Sequence, residues 1–255
     1  MTFDLGILPG YAVTFMLIFA RIGSILMLVP GFGEQAIPAR LKVAMGLAIT
    51  LAFFPLISGQ FQVSTQSLGE IGRAIGWELF VGLAIGFALR LLMATLQVAG
   101  STIAMQLNLS FAEAVDPTQS QNSVLVANFL NTAGITLILV TDLHHMALAG
   151  LVDSYKLFSP SAAFPIGDFS AMSVQTIAEA FRVGLEISAP FIVFGLIFQF
   201  GLGLLSRLMP QMQVFFVATP AAIGIGFVVL LVTLGSVFTL YLGHADTVFS
   251  RFLAR

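Results

Sequence analysis

The chain has 255 residues and a formal net charge of −2, and 58% of its residues are hydrophobic whereas 9% are charged. Soluble globular proteins carry roughly 25% charged residues, so this composition indicates an integral membrane protein. The scattered basic residues exclude a nucleic-acid-binding surface, and the absence of cysteine excludes disulfides, iron–sulfur clusters and cysteine nucleophiles. No stretch is polar enough for a soluble domain, so we expect a single domain over residues 1–255.

Apolar segments of membrane-spanning length recur along the chain. A transmembrane helix needs roughly 20 mainly apolar residues. The sequence predicts about six such segments, at 11–30, 43–57, 75–98, 124–152, 187–208 and 214–242, and a weaker amphipathic seventh at 99–115. Connections rich in helix-breaking residues separate them. The predicted fold is therefore an all-α integral membrane protein.

Charged residues and glycines interrupt these segments. Charges lie within or beside them, among them Arg21, Glu78, Arg90, Asp142, Glu186 and Arg207. A charge at the bilayer centre costs about 3 kcal/mol on insertion scales, so we expect these side chains to face protein or an aqueous cavity. Glu78 and Arg90 are too far apart to pair on one helix. The G-x-x-x-G spacing of Gly82 and Gly86 permits close helix packing, with chance in a glycine-rich chain as the alternative.

The run Asp142-Leu143-His144-His145 invites a metal-binding or proton-relay interpretation. Asp142 and His145 could share an ion, but adjacent residues on a helix point about 100° apart, so His144 and His145 cannot easily bind one together. The sequence therefore favours hydrogen-bonded structural residues over a metal or proton site. Together with the absence of P-loop, G-x-S-x-G and H-E-x-x-H motifs, this predicts no enzyme activity, no cofactor and no metal.

Two further stretches place polar residues between apolar segments. Residues 100–123 are predicted to begin as an amphipathic helix that ends by Asp116-Pro117. This pattern fits either a pore-lining element or an ordinary solvent loop. In 206–226, Pro210 is expected to end or kink a helix at Met209, and Pro220 to repeat the break. Such breaks mark substrate sites in secondary transporters, but they also occur in kinked packing helices.

Four blocks of sequence carry a resemblance to a known family: PGFGEQAIPARLKVAMGLAITLAFFP (30–55), QVAGSTIAMQLNLSFAEAVDP (97–117), DLHHMAL (142–148) and SRLMPQMQVFFVATPAAIGIG (206–226). Together they resemble the flagellar biosynthetic protein FliR family of the type III secretion export gate. Their order and rough spacing are those of the family. The resemblance favours the flagellar system over its virulence counterparts.

The resemblance implies a role in an assembly. Family members join FliP-like and FliQ-like subunits in a helical, hairpin-rich gate in the bacterial inner membrane, at the flagellar basal body, through which unfolded flagellar subunits are exported. FlhB-like and FlhA-like export components are further expected partners, together with membrane lipid. In such an assembly Arg21, Glu78, Arg90 and Glu186 would face neighbouring subunits.

The same resemblance implies roles for particular residues. A channel plug is expected over residues 106–119 and their flank: Met105, Gln106, Leu109, Ser110, Phe111, Glu113, Asp116 and Pro117. An assembly interface is expected at Arg207, Pro210, Gln211, Gln213, Phe215, Phe216 and Pro220. Without the resemblance, the broken helices and intramembrane charges would favour an ion-coupled secondary transporter of a small solute. That transporter remains the alternative.

Overall fold

The computed structural model describes residues 8–34, 36–61, 68–109, 125–160, 166–209 and 214–253. Over these ranges the chain is folded into α-helices and one short 3₁₀ turn, Ser58–Gln60, with no strand. The helices are α1 (Leu8–Leu28), α2 (Ala39–Ile57), α3 (Leu68–Gln106), α4 (Leu125–Val140), α5 (Leu143–Leu157), α6 (Ile166–Leu208) and α7 (Val214–Ser250). The predicted all-α fold is confirmed.

The number of apolar segments agrees with the prediction of about six. Among the described helices, α1, α2, α3, α6 and α7 are each long and apolar enough to cross a membrane, and α4 with α5 would make a sixth. These last two are bent by 73° at their break. One continuous helix over 124–152 is therefore wrong, because Asp142 adopts a left-handed conformation with φ of 60°, which interrupts a right-handed helix.

The long helices extend beyond the predicted segments. α3 joins the segment 75–98 to the first part of 99–115 and ends before Asn108, whose φ is 56°. α6 begins far ahead of residue 187, because charged residues such as Arg182 and Glu186 lower hydropathy without opposing helix formation. α7 passes through Pro220 without a break, so the second predicted break is wrong. Membrane helices tolerate proline where neighbouring groups satisfy the freed carbonyl.

The chain is divided into two compact units. Unit 1 comprises Met1–Leu92, Ile138–Thr176 and Ala245–Arg255, and unit 2 comprises Met93–Leu137 and Ile177–His244. Ile18, Ile22 and Val81 are buried in the core of unit 1, and Leu96 and Phe191 in that of unit 2. The expectation of a single domain over 1–255 stays a prediction.

Within unit 1, α1 and α2 form an antiparallel hairpin. The ring of Phe54, near the end of α2, lies 6.3 Å from that of Tyr11 and 5.9 Å from that of Phe15, both in the first half of α1. Further along α1, the ring of Phe19 lies where a side chain at Gly46 of α2 would contact it. This hairpin returns the chain so that α3 can lie beside α1.

Candidate functional site

The first half of α3 lies parallel to α1 with the two backbones close together. A Cβ atom at Gly82 would overlap the Ser24 hydroxyl and lie 2.7 Å from the Arg21 carbonyl oxygen. One at Gly86 would lie 2.8 Å from the Leu28 Cβ. The contacts advance along both helices in the same direction, as a parallel pair requires. The G-x-x-x-G spacing is thus confirmed as a close-packing face.

One turn before Gly82, the same face of α3 carries Glu78, which pairs with Arg21 of α1. The Arg21 Nε donates to Glu78 Oε2 at 2.5 Å and Nη2 donates to Oε1 at 3.1 Å. The side chains are 0% and 1% exposed. Two parallel charge-assisted hydrogen bonds hold the guanidinium and the carboxylate in one plane. Without Cβ atoms at Gly82 and Gly86, the helices approach closely enough for this contact.

α5 completes the surroundings of Arg21. Its Nη1 donates to the Ser154 backbone carbonyl at 3.1 Å, and the guanidinium carbon lies 4.1 Å from the centre of the Tyr155 ring. The Tyr155 hydroxyl reaches the Ile18 carbonyl of α1 at 3.4 Å. A guanidinium over a desolvated aromatic face adds a cation–π attraction of about 2 kcal/mol. Arg21 therefore connects α1, α3 and α5.

This cluster is suited to holding helices together. Both Glu78 oxygens accept hydrogen bonds from Arg21, and the pair is closed to solvent. A buried pair contributes little net stability relative to an apolar pair of equal volume, but separating the partners is strongly unfavourable. Its physical effect is to fix which residues of the three helices meet.

The other predicted intramembrane charges are more exposed within the chain. Arg90 donates to Glu34 at 2.7 Å, and their side chains are 42% and 27% exposed. Glu186 lies 3.6 Å from Arg182 and is half exposed. Asp142 is 75% exposed, because it lies at the break between α4 and α5. Burial of Arg90, Asp142 and Glu186 therefore does not occur within the described chain.

One expectation about these charges requires correction. The resemblance implied that Arg21 and Glu78 face neighbouring subunits, whereas they face each other inside unit 1. This pairing could not be predicted from the sequence, because 57 residues separate the partners. Glu34, Ser154 and Tyr155 were missed for the same reason. The one available indication was the spacing of Glu78, Gly82 and Gly86, which places a charge on the close-packing face of α3.

The structure describes part of the predicted plug and its flank. Met105 at the end of α3 is 65% exposed, Gln106 and Leu109 are half-buried, and Gln106 lies where a side chain at Gly195 would stand. The remaining predicted plug residues lie outside the described residues: Ser110, Phe111, Glu113, Asp116 and Pro117. Their role stays a prediction.

The predicted assembly interface is described at its two ends. Arg207 is exposed in the last turn of α6, and Pro220 is exposed in α7. Pro210, Gln211 and Gln213 lie outside the described residues, as do the side chains of Phe215 and Phe216. α6 ends at Leu208, so the helix end expected at Met209 is confirmed to within one residue. The interface itself stays a prediction.

Asp142, His144 and His145 form a compact polar cluster at the start of α5. The Asp142 Oδ1 lies 3.3 Å from His145 Nδ1, and the two imidazole rings are 4.1 Å apart between centres. One ligand atom from each residue lies within 4.8 Å of the others. The expectation that the two histidines diverge is wrong, since the first turn brings their rings together. These residues could hold a metal ion.

Comparison with known proteins gives consistent matches along the chain. The model of a family described as bacterial export proteins, family 1, matches residues 12–248. The flagellar biosynthetic protein FliR of Caulobacter vibrioides is 42% identical over 87% of this chain and 88% of its own length. The proteins of the same name from Bacillus subtilis and Pectobacterium carotovorum are 28% and 29% identical, over 88% and 98% of this chain and 87% and 94% of their own lengths.

Proposed function

Since this chain belongs to family 1 of the bacterial export proteins and to the flagellar biosynthetic protein FliR family, we propose that it is a structural subunit of the flagellar type III export gate. It is a membrane-embedded protein of flagellar biosynthesis. In the proposed role it forms, with FliP-like and FliQ-like subunits in the bacterial inner membrane, the channel for unfolded flagellar proteins. The similarity over residues 12–248 carries this proposal.

The surface of α6 supports membership of an assembly. Exposed apolar side chains run along this helix from Ile177 to Leu208. At 1.5 Å per residue this stripe is about 47 Å long, whereas the hydrocarbon core of a bilayer is about 30 Å thick. Covering the stripe with lipid would need a tilt of about 50°, beyond the roughly 0–40° that membrane helices adopt. A protein partner covering part of the stripe would remove this mismatch, which supports the proposed assembly.

The alternative of an ion-coupled transporter has less support. Its proposed coupling residues were Glu78, Arg90, Asp142 and His145. Glu78 has both carboxylate oxygens bound to Arg21, and its side chain is 1% exposed. A coupling carboxylate must exchange protons or ions with water, so Glu78 is better suited to the structural role.

Deleting the gene from its flagellated host is expected to abolish swimming and the export of flagellar subunits into the medium. The physical reason is that a gate lacking one subunit cannot form its channel. Swimming in soft agar and the flagellin content of culture supernatants measure the two effects. Restoration by the wild-type chain is the control, and co-purification with FliP-like and FliQ-like proteins tests assembly. Normal swimming of the deletion strain would contradict the proposed function.

We further propose that residues 106–119 line or close the channel and that the stretch from Arg207 to Pro220 contacts partner subunits. Removing Ser110 to Thr118 is then expected to let ions leak through the assembled gate, because apolar constrictions exclude water. Fluorescence of an ion-sensitive dye in liposomes containing the purified complex measures the leak. Normal subunit composition of the variant complex is the necessary control. An intact variant complex that leaks no more ions than the wild-type complex would contradict the proposed role of this segment as a plug.

A further inference from the structure

Asp142 holds an unusual position at the start of α5. Aspartate before the first helical turn ordinarily accepts a hydrogen bond from a backbone N–H group of that turn. The Asp142 side chain makes no such bond. Its backbone is left-handed, with φ of 60° and ψ of 12°, and its carboxylate is directed to His145 Nδ1 at 3.3 Å. The carboxylate is therefore available as a ligand beside an imidazole.

The neighbouring imidazole also has an unused nitrogen. The Nδ1 atom of His144 is shielded from solvent and has no hydrogen-bond partner. Buried polar nitrogens usually have a partner, since leaving one unsatisfied costs about 1–3 kcal/mol. The His144 ring lies against that of His145 with 4.1 Å between centres. A metal ion is one partner that could satisfy an imidazole nitrogen in this position.

Together, these residues offer the donor set of a transition-metal site. We propose that Asp142, His144 and His145 bind a divalent transition metal ion of the zinc class at the break between α4 and α5. Two imidazoles and a carboxylate suit zinc, cobalt and nickel, whereas magnesium and calcium prefer oxygen ligands. Ligand atoms in a tetrahedral zinc site are about 3.3 Å apart, and the three here lie within 4.8 Å of one another.

Closing this difference needs only small movements of exposed side chains. Asp142 and His145 are 75% and 68% exposed, so both can rotate toward His144 without disturbing the core. The remaining coordination positions stay open to water, as in zinc sites with three protein ligands. Bound metal would join the residue at the break to the first turn of α5 and fix that turn.

Cobalt binding to the full-length chain in detergent tests this site. The protein carries a purification tag without histidine and is first stripped with a chelator. We expect one cobalt ion per chain, with visible absorption bands that zinc abolishes by competition. His144→Gln, His145→Gln and Asp142→Asn should each weaken cobalt binding at least about tenfold, because each removes one of three ligands. Asp153→Asn, which removes an α5 carboxylate paired with Lys156, should bind cobalt as wild type does.

Two results of the cobalt titrations would overturn the proposal. One is equal cobalt affinity in wild type and in a variant with all three ligands replaced. The other is an unchanged affinity in His144→Gln, which would reduce the site to an ordinary surface pair of Asp142 and His145. Circular dichroism checks that each variant keeps its helix content. X-ray absorption of the wild-type cobalt complex gives an independent measurement, since fewer than two imidazole ligands would also contradict the site.

Discussion

Replacing Arg21 with alanine is expected to lower the free energy of unfolding by about 3–5 kcal/mol, because it leaves the Glu78 carboxylate buried without a counter-charge. The substitution removes both hydrogen bonds to Glu78, the bond to the Ser154 carbonyl and the cation–π contact with Tyr155. Unfolding of the purified chain with sodium dodecyl sulfate in mixed micelles, followed by circular dichroism, measures the change. Yield of the co-purified complex is the corresponding measurement in cells.

A second ion pair in unit 1, also between α3 and the α1 region, supplies a matched control. Arg90 on α3 pairs with Glu34, which follows α1, at 2.7 Å, but both side chains are partly exposed. Exposed pairs typically contribute about 0.2–1 kcal/mol. Arg90→Ala should therefore lower the free energy of unfolding by less than about 1 kcal/mol. Equal losses of stability in Arg21→Ala and Arg90→Ala would show that burial of the Arg21–Glu78 pair does not determine its contribution to the free energy of unfolding.

A double substitution separates loss of the pair from loss of packing. Buried ion pairs replaced by apolar residues of similar volume are often neutral in stability or more stable. Arg21→Met combined with Glu78→Leu should therefore recover most of the stability lost in Arg21→Ala. If the double variant stays as unstable as the single one, the unpaired carboxylate is not the cause.

The composition predicted the fold class because membrane helices depend on local properties. Apolar length alone specified the segments containing α1, α2 and α7. Helix ends were predicted less well where hydropathy and helix propensity differ. α6 continues through Arg182 and Glu186, which lower the local hydropathy without ending the helix.

The candidate site was less predictable because its contacts join distant parts of the sequence. Arg21 and Glu78 were recognised as unusual charges, but their pairing depends on the parallel approach of α1 and α3. Ser154 contributes only a backbone carbonyl, which no sequence pattern marks. The prediction that His144 and His145 point apart failed for a local reason. Ideal helix geometry separates adjacent side chains, and the left-handed Asp142 departs from that geometry.

The buried pair and the glycine face form one structural feature. Glu78, Gly82 and Gly86 recur every four residues, which places them on one side of α3. The glycines allow the backbones to approach, and that approach brings the carboxylate to the guanidinium. Neither part is expected to persist without the other, since a wider separation of the helices would leave both charges unpaired in an apolar interior.

Gly82→Ala is therefore expected to lower the free energy of unfolding by up to about 2 kcal/mol. Alanine stabilises a helix interior by about 1 kcal/mol relative to glycine, but overpacking a close contact costs about 1–3 kcal/mol. The added Cβ would lie 2.7 Å from the Arg21 carbonyl oxygen and 3.2 Å from its Cα atom. These are backbone atoms that move only with the whole of α1, so the shift would also strain the pair with Glu78.

Gly76, on the same helix, gives the opposite expectation and isolates the cause. No atom lies within 4 Å of a Cβ built there, so Gly76→Ala should gain the helix-propensity term of about 1 kcal/mol without any steric loss. Mixed-micelle unfolding of the two variants in parallel measures whether each substitution raises or lowers the free energy of unfolding. Stabilisation by both alanines would mean that α1 and α3 are not in close contact at Gly82. Destabilisation by Gly82→Ala alone, reduced when Ser24→Gly is added to remove the overlapping hydroxyl, would attribute the loss to this contact.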